Sequence, residues 1–137
     1  MEIFSKRFAQ PPLQSVLLRD ILDSIESEVV ILKIDLEGYE CKALQPEILQ
    51  GRVGKLIPYI LMEWVQLPNN EYVCGNFKEW VDNFYQGGYL PVDPGEISRD
   101  VFITENNILD TLEPVKEADR DKMFHLAWIL QSVLTVK

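Results

Sequence analysis

The sequence predicts an α/β fold, a partial sheet of mostly parallel strands with intervening helices and an antiparallel hairpin toward the C-terminal side. Three observations lead there. The runs 29–34 and 56–65 are apolar at successive positions, which marks strands covered on both faces. Apolar residues at three- and four-residue spacing follow each run and mark helices. Strand, helix, strand, helix in that order implies parallel strands joined by right-handed crossovers.

A chain of 137 residues supports one domain with its own core, so residues 1–137 are read as a single unit. At 47% hydrophobic and 26% charged residues, a folded globular chain is expected. The formal charge of −9 repels phosphate backbones and argues against a nucleic-acid partner. No run of ~18 consecutive apolar residues provides a membrane span, and residues 1–8 hold no uninterrupted apolar core of a secretory signal. A soluble, cytoplasmic protein is therefore the default expectation for these residues. Cys41 and Cys74 lack metal-ligand spacing and read as separate thiols, which fits a reducing compartment.

Pro11-Pro12 disfavours a helix and suggests an extended lead-in. Apolar residues from Val16 to Ile25 predict a helix over residues 19–27, and the first strand follows at 29–34. Residues 38–44 can be helical until Pro46 interrupts; a short second turn runs 46–49, and Gly51 closes it. The second strand, 56–65, has Pro58 near its start, where the missing N–H is tolerable, and Glu63 near its end. Residues 66–75 read as a loop. Asn76 and Glu79 form a capping-box pattern, Phe77, Trp80, Val81 and Phe84 follow at helical spacing, and Gly87-Gly88 stops the helix. Residues 89–92 and 100–104 flank the turn sequence Asp93-Pro94-Gly95-Glu96 and read as a hairpin. The apolar stripe through Met123, Leu126, Leu130 and Leu134 predicts a packing helix over about 114–136, within residues 113–137. The first strand lacks a convincing partner for one of its edges.

Function is sought where the first strand ends, at Asp35-Leu36-Glu37-Gly38-Tyr39-Glu40, because open α/β sheets bind ligands beyond the carboxyl ends of parallel strands. The packet offers carboxylates to orient or deprotonate an acceptor. It also reads as a solvated turn with helix-start acids. A hard-cation site of Asp35, Glu37, Glu40 and Glu63 is a weaker reading, and no metal is assigned. The lone histidine, His125, lies in the apolar stripe and reads as a boundary or core residue rather than a base.

The segment 32–40, Leu-Lys-Ile-Asp-Leu-Glu-Gly-Tyr-Glu, with Ala43-Leu44 after it and a later strand ending Met62-Glu63, resembles the FkbM-type methyltransferase domain. Leu18-Arg19-Asp20-Ile21-Leu22 is similar to a segment that often precedes that hallmark. The resemblance covers about residues 15–104 and implies a Rossmann-like sheet, S-adenosylmethionine as methyl donor, and transfer to an oxygen of a small molecule or glycan. Carried over by position, it implies Asp35 and Glu37 as catalytic carboxylates, Asp35 and Gly38 at the cofactor, and Glu40 and Glu63 toward the acceptor. Lys33, on the strand face of Asp35, would hold that acid's charge state.

The glycine-bearing loop and ribose-binding acid that such a domain places first have no counterpart before residue 29, so the chain reads as the C-terminal half of a truncated domain. Whether it is an enzyme as it stands is left open. The competing reading is a non-catalytic Rossmann-like remnant that binds a protein partner through Trp64, Trp80 or the C-terminal helix, or self-associates through the exposed edge of the first strand.

Overall fold

Sheet order in this protein departs from chain order because its last strand enters the middle. The computed structural model describes residues 15–94 and 113–135. Its strands are β1 (Leu32–Ile34), β2 (Tyr59–Glu63), β3 (Tyr89–Asp93), β4 (Glu113–Pro114) and β5 (His125–Leu130), arranged β1-β2-β5-β3-β4. Its helices are α1 (Leu18–Ser24), α2 (Glu40–Ala43), α3 (Pro46–Leu49), α4 (Glu71–Cys74), α5 (Phe77–Gln86), α6 (Glu117–Arg120) and α7 (Gln131–Thr135). The mixed α/β class is as expected. The strand directions are not, because β1 and β2 form the one parallel pair of strands and every other strand pair among the described residues is antiparallel.

The largest correction is at the C-terminal side. Instead of one helix over 114–136, the chain makes β4, α6, β5 and α7 in succession. The physical reason lies in Leu126-Ala-Trp-Ile-Leu130, where all five residues are buried. Leu126, Trp128 and Leu130 join the main core, while Ala127 and Ile129 join a second cluster with Val92, Tyr59 and Leu61. Burial on both faces is the environment of a central strand, and periodicity alone does not separate such a run from a buried helix. β5 pairs with β2 from Tyr59↔Ile129 to Glu63↔His125 and with β3 from Tyr89↔Leu130 to Val92↔Ala127, so its backbone is paired along both edges.

Other elements are closer to expectation. The first strand is shorter than 29–34, with an isolated parallel bridge Val29↔Leu56 before it. The first helix ends at Ser24 and buries only Leu22. In the hairpin, residues 89–92 are in β3, whereas 100–104 lie outside the described residues; β3 pairs with β5 and with β4.

The helix α5 forms as its sequence dictates. Asn76 Oδ1 accepts from the Glu79 N–H at 3.1 Å, and Trp80, Val81 and Phe84 bury one face. That face meets an aromatic cluster in which Phe84 stacks on Trp128 with ring centres 4.1 Å apart and Trp64 stacks on Trp80 at 5.7 Å. Offset stacking adds to the stabilisation from area burial alone. The Trp80 Nε1–H donates to the Leu44 carbonyl at 2.8 Å, which ties α5 to the end of α2. Trp64 and Trp80 are core residues, so neither offers a face to a partner.

At its other end α5 abuts α3. Gly87 has an ordinary backbone conformation, but a Cβ there would overlap the Leu49 carbonyl oxygen, and Arg52 Nη1 donates to the Gly87 carbonyl at 2.8 Å. Gly87→Ala therefore forces two backbones apart and is expected to cost about 1–3 kcal/mol. The measurement is a urea unfolding midpoint, lowered at unchanged slope in the variant.

Candidate functional site

The parallel pair β1 and β2 brings Asp35, just beyond β1, beside Glu63 at the end of β2. Leu32, Lys33 and Ile34 stand in register with Ile60, Leu61 and Met62, so the next positions on the two strands are also neighbours. An open cleft of about 290 Å³ lies there, lined by Lys33, Asp35, Leu61, Glu63, Pro94 and His125 among others. Carboxylate oxygens of Asp35, Glu37 and Glu63 lie within 4.8 Å of one another.

A tight turn presents Glu37. The Tyr39 N–H donates to the Leu36 carbonyl at 3.2 Å, and the two residues between both have positive φ, 51° at Glu37 and 97° at Gly38. Glycine takes that conformation freely, while at Glu37 it costs about 1–2 kcal/mol. Gly38 is required for space as well, since a Cβ there would stand 2.9 Å from Asn70 Nδ2. Three contacts hold the turn. Glu40, buried at the start of α2, accepts the Leu36 N–H on Oε1 at 2.9 Å; Asn70 Nδ2 donates to the Gly38 carbonyl at 2.9 Å; and a Cys41–Cys74 disulfide joins α2 to α4 with Cα atoms 5.2 Å apart.

The disulfide corrects the expectation of two separate thiols and removes the support those thiols gave to a reducing compartment. It was invisible to local spacing because the partners are 33 residues apart and meet only through packing of α2 against α4. Closing a loop of that length contributes about 3–4 kcal/mol in the chain-entropy account.

The predicted residues thus divide. Asp35, Glu37 and Glu63 converge on the cleft. Glu40 turns instead to the backbone of the turn and is 1% exposed, with its Oε2 lacking a hydrogen-bond partner among the described residues. Lys33 is exposed and lines the cleft. His125, read from sequence as a boundary or core residue, is exposed, lines the same cleft and stands opposite Glu63 in the β2–β5 register. Reading 126–130 as a doubly covered strand would have placed it there.

Like charge shapes the site's electrostatics. The Glu37 carboxyl is raised above its ordinary range, chiefly by the charge of Asp35, then by that of Glu63, with smaller contributions from desolvation, a hydrogen bond to Asp35 and the charge of Glu40. Such a group releases its proton reluctantly and takes one readily, which suits general-base work. Three carboxylates at this separation also present oxygen ligands of the kind that hard cations prefer. Comparison with protein-family profiles, curated proteins and solved structures finds no match for the chain.

Replacing Asp35 by Asn removes the largest cause and is expected to lower the Glu37 pKa, read by carboxyl-carbon NMR titration. Because the folded pKa of Glu37 is raised, its contribution to stability is fully present below the unfolded value and is lost as pH rises through the folded one. Asp35→Asn should flatten that dependence in acid unfolding curves.

Proposed function

We propose that the chain is part of an S-adenosylmethionine-dependent methyltransferase domain of FkbM type, carrying the acceptor-side wall of a Rossmann-like cleft. The observation that carries this reading is the convergence of Asp35, Glu37 and Glu63 beyond the carboxyl ends of two adjacent parallel strands. The segment 32–40 supplies the family resemblance.

The donor set suits such a cofactor, since carboxylates attract a cationic sulfonium. Gly38 does not meet the expectation of a cofactor contact, because it is buried under Asn70, and its part is to let the chain turn. When bound, the cofactor supplies an electrophilic methyl group. Asp35 is the residue that would lie against it, and Glu63 would face the acceptor. An acceptor hydroxyl of a small molecule or glycan would donate a hydrogen bond to Asp35 or Glu37. The carboxylate would take the hydroxyl proton as the oxygen lone pair forms the new O–C bond and the methyl–sulfur bond breaks, its electron pair staying on sulfur as a neutral thioether. Glu37, whose affinity for a proton is raised, is favoured for accepting it, and Asp35 for orienting the hydroxyl. Lys33 would moderate the negative charge of Asp35.

Calorimetric titration of the chain with S-adenosylmethionine tests this. Weak binding at most is expected, because the cofactor-loop half is not in these residues, and any saturable heat should fall roughly tenfold, about 1.4 kcal/mol, in Asp35→Asn. Micromolar affinity overturns the half-domain part of the reading, and weak affinity that is equal in the variant overturns the role of Asp35.

A second reading, a non-catalytic remnant that self-associates, has one specific observation in its favour. Among the described residues β1 pairs only with β2, and apolar side chains flank it in the open: Ile31 is 69% exposed, Val29 51% and Leu36 44%. Unpaired strand edges template further pairing, and lysine on an edge blocks it. Light scattering should then show a concentration-dependent dimer that Ile31→Lys abolishes, whereas a strict monomer at all concentrations removes this reading.

A further inference from the structure

The disulfide joins two segments that each support the turn of residues 36–39. Cys41 follows directly on Glu40, whose carboxylate holds the Leu36 amide; Cys74 ends the short helix α4, and Asn70, just before that helix, holds the Gly38 carbonyl. The 66–75 segment therefore grips the turn at one covalent point and by one side-chain hydrogen bond. Leu67, 1% exposed, anchors the start of the segment in the core. Beyond it a lone amide–carbonyl hydrogen bond contributes less than the entropy cost of ordering even two residues, so the covalent point decides whether residues 70–74 stay in place. The turn resists its own geometry, with Glu37 at positive φ and three carboxylates crowded together. A reagent reaches the bond from the side of Cys74, which is half-buried and lines an open surface cleft with Lys42, Gln45, Asn76 and Glu79, whereas Cys41 at the floor of that cleft is 5% exposed.

We propose that Cys41–Cys74 is a redox-sensitive tether of the carboxylate cluster. Reduction by a dithiol releases residues 70–75 from the turn, and Glu37 loses its fixed spacing from Asp35 and Glu63, which the paired strands β1 and β2 keep side by side; reoxidation restores it. The step balances, since the dithiol gives up two electrons and two protons to become a disulfide while the protein S–S bond becomes two thiols. The device operates whatever the cluster binds, so it stands apart from the methyl-transfer reading.

The test is amide hydrogen exchange on the full chain, with and without dithiothreitol. Purified in air, the protein should titrate no free thiols. On reduction, amides of residues 36–41 and 70–75 should exchange at least about tenfold faster, while Met62 and Ala127 in the central strands keep their rates. The double variant Cys41→Ser/Cys74→Ser should show the reduced pattern without reductant, and oxidised Asn70→Ala should stay close to the oxidised wild type. Two free thiols in the air-purified protein would overturn the proposal. So would unchanged exchange at both segments, acceleration that spreads to Met62 and Ala127, or an oxidised Asn70→Ala that exchanges as fast as the reduced protein.

Discussion

Everything in the sheet depends on the insertion of β5 between β2 and β3. Those two neighbours are not hydrogen-bonded to each other, so without residues 125–130 the sheet is a parallel pair, β1–β2, and a separate antiparallel pair, β3–β4, with no strand joining them in one layer. The insertion is stable because five consecutive apolar residues find cover on both faces while the backbone is paired with β2 along 125–129 and with β3 along 127–130. The aromatic cluster is built on the same strand, with Trp128 stacked on Phe84 and packed edge-on against Tyr85. The insertion also sets His125 opposite Glu63, and so completes the cleft from a part of the chain remote from the acid packet.

The carboxylate turn is unfavourable on its own terms. Its φ values are positive at two successive residues and its charges repel, yet it is held by a buried glutamate, an asparagine amide and a covalent bond. Structure that opposes local preference and is held from outside is the pattern of sites kept for use rather than for stability. Glu40 illustrates the division of labour. It belongs to the same packet as Asp35 and Glu37, but its carboxylate supports the turn's backbone while theirs face solvent.

Legibility from sequence followed the range of the interactions involved. Helix α5 was readable because its cap, apolar face and glycine stop are all local. Strand β2 and the acids at the strand ends were readable for the same reason, and Asp35, Glu37 and Glu63 do meet. The strand 125–130 was misread because a doubly covered run has no period to betray it, and a helical stripe can be drawn through the same residues. The Cys41–Cys74 pair and the role of His125 were hidden because each depends on a contact between distant segments, α2 with α4 in one case and β2 with β5 in the other.

The place of β5 also governs the order of events during synthesis. Strands β1, β2 and β3 leave the ribosome well before residues 125–130, and β2 and β3 then have an open edge each where their eventual neighbour belongs. Pairings of such high sequence separation form slowly, because a long chain segment must close before any contact offsets its entropy. In that interval apolar strands with unpaired backbone are the species most prone to aggregate. Sequence changes within 125–130 therefore bear on the late closing of the sheet as well as on the finished fold.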